Sequence, residues 1–208
     1  DSGGKEPSFP EKIPGGQYRV KFTVPASWTG RQVFIQFGGM KSCAWIYLNG
    51  QKVGYTEDSK DPAEFNLTPY LKSGENLLAL EIHRWSTGSF YECQDFWRLS
   101  GIERDVYLTT RPNILIRDII VSSPLNDTFT DGVLSLGIKL ANLAKKEGGV
   151  RLDVSLLDPD GDEIWTGTRT AKVSPTSDLI DGDVVYFDHV IKNVQPWSAE
   201  KPALYTAL

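Results

Sequence analysis

The chain has little cysteine and little histidine: two of each in 208 residues. Cys43 and Cys93 stand fifty residues apart, without metal-ligand spacing, and so do not form the dense framework of a disulfide-stapled domain. Two free thiols are the favoured reading, and a pair stays open for an oxidising compartment. His83 and His189 are distant and each falls in a strand-like run, the setting of a structural histidine. No zinc site, nucleophile elbow or phosphate loop is present. Basic clusters are also missing: Lys145-Lys146 is the one adjacent pair, and the net charge is −5. Nucleic acid and anionic membrane surfaces are therefore not expected partners. No apolar run reaches membrane-spanning length, and Asp1-Ser2-Gly3-Gly4-Lys5 does not read as a signal peptide. A cytoplasmic or a periplasmic location stays open.

What the chain has in quantity is turn formers and tryptophan. Nineteen Gly and 12 Pro, with 40% apolar residues, point to turn-rich β structure rather than disorder. Six Trp suggest at least one aromatic-lined surface. Strand patterns dominate. Residues 17–24 alternate polar and apolar and are closed by Pro25, and residues 33–37 form a second strand closed by Gly38-Gly39. Residues 43–48 and 51–55 flank Asn49-Gly50, a pair tolerant of positive φ, which predicts a hairpin. Residues 65–71 read as a short helical turn. Residues 77–83 and 102–108 read as strands, and Thr109-Thr110-Arg111-Pro112 is the candidate domain boundary.

Beyond it, strands are expected at 114–121, 133–140, 150–156, 163–168 and 184–191, with a turn at Asp158-Pro159-Asp160-Gly161. Residues 140–147 carry a weak helical pattern better read as a polar hairpin loop. The apolar run Ala203 to Leu208 looks like a strand beginning, which suggests a fragment of a longer protein.

The run His83 to Gly101 is the richest in chemistry. It places two tryptophans, other aromatics, two arginines and the acids Glu92 and Asp95 in a segment with neither strand nor helix periodicity. Flat aromatic faces beside a carboxylate suit sugar recognition. On residue types alone, two readings are open: a sugar-contacting loop, or aromatics filling a core with Asp95 paired to Arg84 or Arg98.

Four segments then carry a resemblance. They are Leu48 to Tyr55 with Glu57-Asp58-Ser59; Pro62 to Thr68 leading to Gly74-Glu75-Asn76; Arg84-Trp85-Ser86 through Gln94-Asp95-Phe96-Trp97-Arg98 to Ser100-Gly101-Ile102 with Arg104-Asp105-Val106; and Trp197-Ser198-Ala199-Glu200 with Pro202 and Leu204-Tyr205. In their order and spacing the chain resembles the N-terminal part of the β-galactosidases of glycoside hydrolase family 2. The third segment resembles that branch more than the β-glucuronidase or β-mannosidase branches.

The resemblance implies an all-β chain: a galactose-binding-like jelly-roll sandwich over residues 1–111, followed by an immunoglobulin-like sandwich over 112–208. It implies a role as a non-catalytic region joined to a downstream (β/α)8 barrel, with a β-galactoside as substrate and a homo-oligomer as an open option. It carries two roles onto Asp95, contact with a galactose hydroxyl and ligation of a sodium ion. A carboxylate suits both. Sodium would belong to the full-length enzyme, and no cofactor is expected in this stretch alone. Arg84, Trp85, Trp97 and Arg98 are read as scaffold for the loop, with contact to sugar as the lesser alternative for Trp85 and Trp97.

Two departures matter. No stretch before Gly15 matches the family's upstream loop with its substrate-contacting asparagine, and Glu92-Cys93 stands where the family often has two acids. Retaining hydrolysis needs two carboxyl groups roughly 5–5.5 Å apart. Nothing regular fixes Glu92 and Asp95 at such a separation, and Glu57-Asp58 is expected to be solvated. No catalytic residue is therefore assigned, and the stretch alone is expected to be inactive. A freestanding carbohydrate-binding or adhesion module is the alternative from another class, and a family-2 enzyme for another sugar is a third reading.

Overall fold

The computed structural model describes residues 8–92, 95, 97–176 and 182–208. Its chain divides into two compact units, Asp1–Arg111 and Pro112–Leu208. Both are β structures, as the alternating patterns and turn signals require.

In the first unit the strands are β1 (Gly15–Thr23), β2 (Gln32–Phe37), β3 (Met40–Lys41), β4 (Cys43–Leu48), β5 (Gln51–Thr56), β6 (Ala63–Asn66), β7 (Glu75–His83), β8 (Gly101–Ile102) and β9 (Val106–Arg111). One sheet runs β1-β7-β4-β5 and a second β6-β2-β9, with β3-β8 as a two-stranded clip. The pairs within them are antiparallel. Their inward faces meet in a core of Ile35, Phe37, Met40, Ala44, Ile46, Leu48, Leu67, Leu78, Leu80 and Ile82. Ile46 and Leu48 are fully buried, so truncating either to Ala would cost about 2–5 kcal/mol.

The Asn49-Gly50 hairpin forms between β4 and β5 with φ of 53° and 83°, both in the region that Asn and Gly tolerate best. Asn49 does more than turn the chain. Its amide nitrogen donates to the Tyr70 carbonyl (2.9 Å) and to Asn76 Oδ1 (2.8 Å), and its oxygen accepts from the Leu77 amide (3.0 Å). Asn76 is fully buried and closes the network on the Lys72 and Gly74 carbonyls.

One expectation is corrected here. Residues 65–71 are not one helical turn. Phe65 and Asn66 complete β6 opposite β2, and the 3-10 turn is confined to Thr68–Tyr70. The alternating strand β1 forms in register with β7, but as an edge strand it leaves Tyr18 and Val20 exposed, and only Phe22 packs on the core.

The second unit holds β10 (Ile114–Ser122), β11 (Gly132–Asn142), β12 (Gly148–Leu157), β13 (Glu163–Val173), β14 (Asp183–Ile191) and β15 (Thr206–Ala207). The sheets β10-β11-β14 and β13-β12-β15 enclose Leu134, Leu136, Ile138, Leu140, Val154, Leu156, Val173 and Phe187. Residues 140–147 contain no helix: β11 runs on to Asn142, and a short turn leads into β12. Asn142 is fully buried and donates to the Lys146 and Val173 carbonyls, pinning that turn. Asp158 closes the next turn by accepting from the Asp160 and Asp162 amides, both at 2.9 Å.

Candidate functional site

The segment from Arg84 to Ser100 leaves β7 and returns through β8. Backbone hydrogen bonds clamp its base. The Arg84 amide donates to the Pro14 carbonyl at 3.0 Å, and the Ser42 amide to His83 at 3.1 Å. Lys41 pairs with Gly101 across the β3-β8 clip. Its side chain is buried, and Nζ reaches the Trp97 carbonyl at 3.2 Å. Gly101 sits at a φ of 116°, a conformation that admits glycine most readily.

Inside the loop, residues 87–90 form a 3-10 turn capped by Ser86 in a capping box with Ser89. Three buried hydroxyls meet there. Ser42 Oγ bonds both Ser86 Oγ and Ser89 Oγ, the latter at 2.8 Å. The next anchor is Glu92. Its carboxylate accepts from the Ser59 amide at 3.0 Å and from the Ser59 hydroxyl, and its own amide donates to Gly88 at 2.8 Å. Glu92 is therefore a structural acid, engaged on both oxygens.

Arg84 and Arg98 both lie over the half-buried Trp85 ring, with Cζ at 5.7 and 5.2 Å from its centroid, within cation-π range. Arg98 also donates to the Ser89 carbonyl at 3.0 Å. Trp85 and Arg98 thus form the scaffold expected of them. Trp97 does not: its side chain is 81% exposed. An aromatic type does not bury itself where the backbone carries it outward, and here only the Trp97 carbonyl is used structurally. Tyr91, 82% exposed, stands out in the same way.

Asp95 is exposed on this buttressed loop, at a left-handed φ of 55° that Asp tolerates better than most residues. Among the described residues it makes no hydrogen bond or ion pair, so the pairing with Arg84 or Arg98 is not formed. Cys93, Gln94 and Phe96 lie outside the described residues, and with Cys93 the question of a disulfide. Cys43 is a buried thiol. Glu57, expected to be solvated, accepts from the Tyr55 hydroxyl at 2.8 Å. Asp58 is exposed and accepts from the Lys60 and Asp61 amides.

A sodium ion, a hard cation, collects several oxygen donors. Asp95 offers one uncommitted carboxylate, and no group of three His, Cys, Asp or Glu residues stands together among the described residues. The sequence missed Ser59, Ser42 and Lys41 as supports of the loop. The only signal for Ser59 was its place directly after Glu57-Asp58.

The family described as "Glycosyl hydrolases family 2, sugar binding domain" matches residues 4–112, reaching upstream of Gly15, and "Glycosyl hydrolases family 2" matches 114–208. The chain is 41% identical over 204 residues to a β-galactosidase of Priestia megaterium, covering 97% of this chain and 19% of that protein. It is 37% identical over 193 residues to a β-galactosidase of Clostridium acetobutylicum, covering 93% and 20%. The chain thus spans about a fifth of the length of these relatives.

Among solved structures, a Bacteroides uniformis β-glucuronidase superposes with a TM-score of 0.77 at 25% identity, over 93% of this chain and 24% of that one. A putative β-galactosidase from Bacteroides fragilis superposes at 0.80, over 94% and 30%, and at 21% identity it speaks for the fold alone. Two all-β units, each matched along its length by a model of one family, and relatives of the same family at about 40% identity leave one assignment: the chain belongs to glycosyl hydrolase family 2.

Proposed function

We propose that this chain is the non-catalytic, substrate-side portion of a longer β-galactosidase, and that Asp95 is the residue it contributes to the sugar site. The observation that supports this most is the contrast within the loop. Ser86, Ser89, Glu92 and Arg98 are tied down, while Asp95 has no partner among the described residues and is exposed. A carboxylate without a partner among the described residues is available to accept hydrogen bonds from sugar hydroxyls, and charged acceptors make the stronger ones.

The described residues of the loop supply no acid/base and nucleophile pair. Both oxygens of Glu92 are committed to Ser59, so Asp95 is the one uncommitted acid described in the loop. The two catalytic carboxylates then belong to a barrel elsewhere in the same polypeptide, as do the remaining donors of a sodium ion that Asp95 helps to ligate. The galactoside reading rests on relatives named β-galactosidases at 41% and 37% identity, against 25% for the β-glucuronidase structure.

Two measurements test it. The 208-residue chain should not cleave a nitrophenyl β-galactoside above the buffer rate. In the longer enzyme, Asp95→Asn should lower kcat/KM by about 2–4 kcal/mol, or 30- to 1000-fold, with the native fold retained. Unchanged kinetics would return Asp95 to an ordinary surface residue.

A further inference from the structure

The strand β3 and the residue after it reach both limbs of the aromatic loop. Ser42 Oγ bonds Ser86 and Ser89 on the limb that leaves β7. Its neighbour Lys41 serves the other limb, where Nζ donates to the Trp97 carbonyl at 3.2 Å, across 56 residues of sequence. That carbonyl lies two residues beyond Asp95. On the returning limb it is the hydrogen-bonded group nearest to Asp95 in sequence among the described residues.

Lysine is a costly residue for this position. It is 6% exposed, and among the described residues the Trp97 carbonyl is its one hydrogen-bond partner, with no ion pair. Burying an ammonium costs more than a single bond to a neutral acceptor returns. An unbranched apolar side chain of similar length would fill the space at lower cost, but it could not donate in a fixed direction. The root of the side chain is fixed too: Lys41 pairs with Gly101 across the β3-β8 clip, and the Ser42 amide is bonded to the His83 carbonyl. The ammonium therefore sets where the returning limb passes β3 and adds little to stability.

We propose that Lys41 is a positioning residue for Asp95: through the Trp97 carbonyl it holds the returning limb so that the carboxylate meets the sugar hydroxyl at hydrogen-bonding distance. The inference rests on the sugar-contacting role proposed above for Asp95. It assigns Lys41 to the placement of that group and not to contact with the sugar. A misplacement of about 1 Å in a substrate-contacting group is enough to cost on the order of a hundredfold in rate.

The test is a double-mutant cycle in the longer enzyme, read as kcat and KM on a nitrophenyl β-galactoside. Lys41→Met is expected to lower kcat/KM about ten- to a hundredfold, dividing between kcat and KM as Asp95→Asn does, with the thermal midpoint of the parent retained. In the Asp95→Asn background the same substitution should change kcat/KM by less than about twofold, because no carboxylate is left to place. A loss of folded enzyme would instead lower kcat alone and multiply with Asp95→Asn. Lys41→Gln, which keeps a donor on a shorter stem, is carried through the same cycle, so the result does not hang on how methionine packs. The positioning role is overturned, with the reading of Asp95 intact, if Asp95→Asn lowers kcat/KM and Lys41→Met does not. It is overturned in the same way if the two losses multiply, or if both Lys41 variants fail to fold. If Asp95→Asn itself leaves the kinetics unchanged, the reading of Asp95 falls and the positioning role falls with it.

Discussion

The carboxylate of Glu92 accepts hydrogen bonds from both the backbone amide and the hydroxyl of Ser59, whose side chain is buried, and so stitches the aromatic loop to the segment that follows β5. Removing the acceptor leaves two buried donors without a partner, and bonds to a charged group are the more costly to lose. Glu92→Ala is expected to lower the unfolding free energy by about 2–3 kcal/mol in urea, and Glu92→Gln, which keeps one acceptor, by about half as much. A loss below about 0.5 kcal/mol for Glu92→Ala would show that the stitch contributes little.

Asp95, three residues on, should behave in the opposite way. With no partner among the described residues, its carboxylate contributes little to folding. Its backbone is what matters, held at a φ of 55°. Asp95→Asn, which suits that φ, should stay within about 0.5 kcal/mol of the parent, whereas a β-branched Asp95→Val should cost more than about 1 kcal/mol. Equal thermal denaturation midpoints for the two variants would mean that the loop relaxes freely at this position.

This division of labour explains what could be read from the chain. The Asn49-Gly50 hairpin, the strand positions and the all-β class follow from local signals, because turn chemistry and period-2 alternation act within a few residues. The partners of Glu92, the three-serine cluster and the buried Lys41 depend on contacts across 33 to 56 residues, and nothing local announces them. Trp97 fails for a related reason. Its type favours burial, but in a loop without periodicity the backbone path decides which way a ring faces. Phe65 shows the converse, since pairing with Ile35 draws a helical-looking turn into a strand.

The hairpin tip offers a separable test of backbone and side chain. Asn49→Gly keeps the left-handed turn and removes three hydrogen bonds, while Asn49→Ala removes the bonds and strains the turn as well. Both should destabilise by about 2 kcal/mol or more, with Ala worse than Gly by about 1 kcal/mol. Asn76 shares the network, so the Asn49→Gly and Asn76→Ala losses should not add in a double-mutant cycle. Strict additivity would place the two amides in independent roles.

Acid sensitivity should reside partly in the second unit. The Asp131 carboxyl is held below its ordinary 3.8 first by the hydrogen bond from Lys192 Nζ (2.7 Å), then by the Asn193 amide (3.1 Å). A folded value below the unfolded one means that the unfolded chain takes up the proton first. The stabilisation is therefore complete above the ordinary value and is lost as pH falls through the folded one. Asp131→Asn should flatten the fall of stability with pH below about 4, and a parallel pair of pH profiles would assign the acid response to other carboxylates.

Cys43 gives a reporter for the first unit's core. Its thiol is 5% exposed, and burial pushes its pKa above the usual thiol value, against opposing hydrogen bonds from Tyr55 and the His83 backbone. Access and thiolate fraction both fall, and reactivity follows the thiolate. In a Cys93→Ala variant, leaving one thiol, Ellman's reagent should react about a hundredfold or more slowly with the native chain than with the chain in urea. The labelling rate should track the opening of the sheet β1-β7-β4-β5. Because the folded pKa is raised, the protonated thiol also ties stability to pH: that contribution is complete below the ordinary value near 9.0 and fades as pH rises through the folded one. Cys43→Ala should remove this alkaline dependence at the cost of a small cavity, whereas labelling of the native Cys93→Ala chain at the rate of a free thiol would mean that β4 is open to solvent.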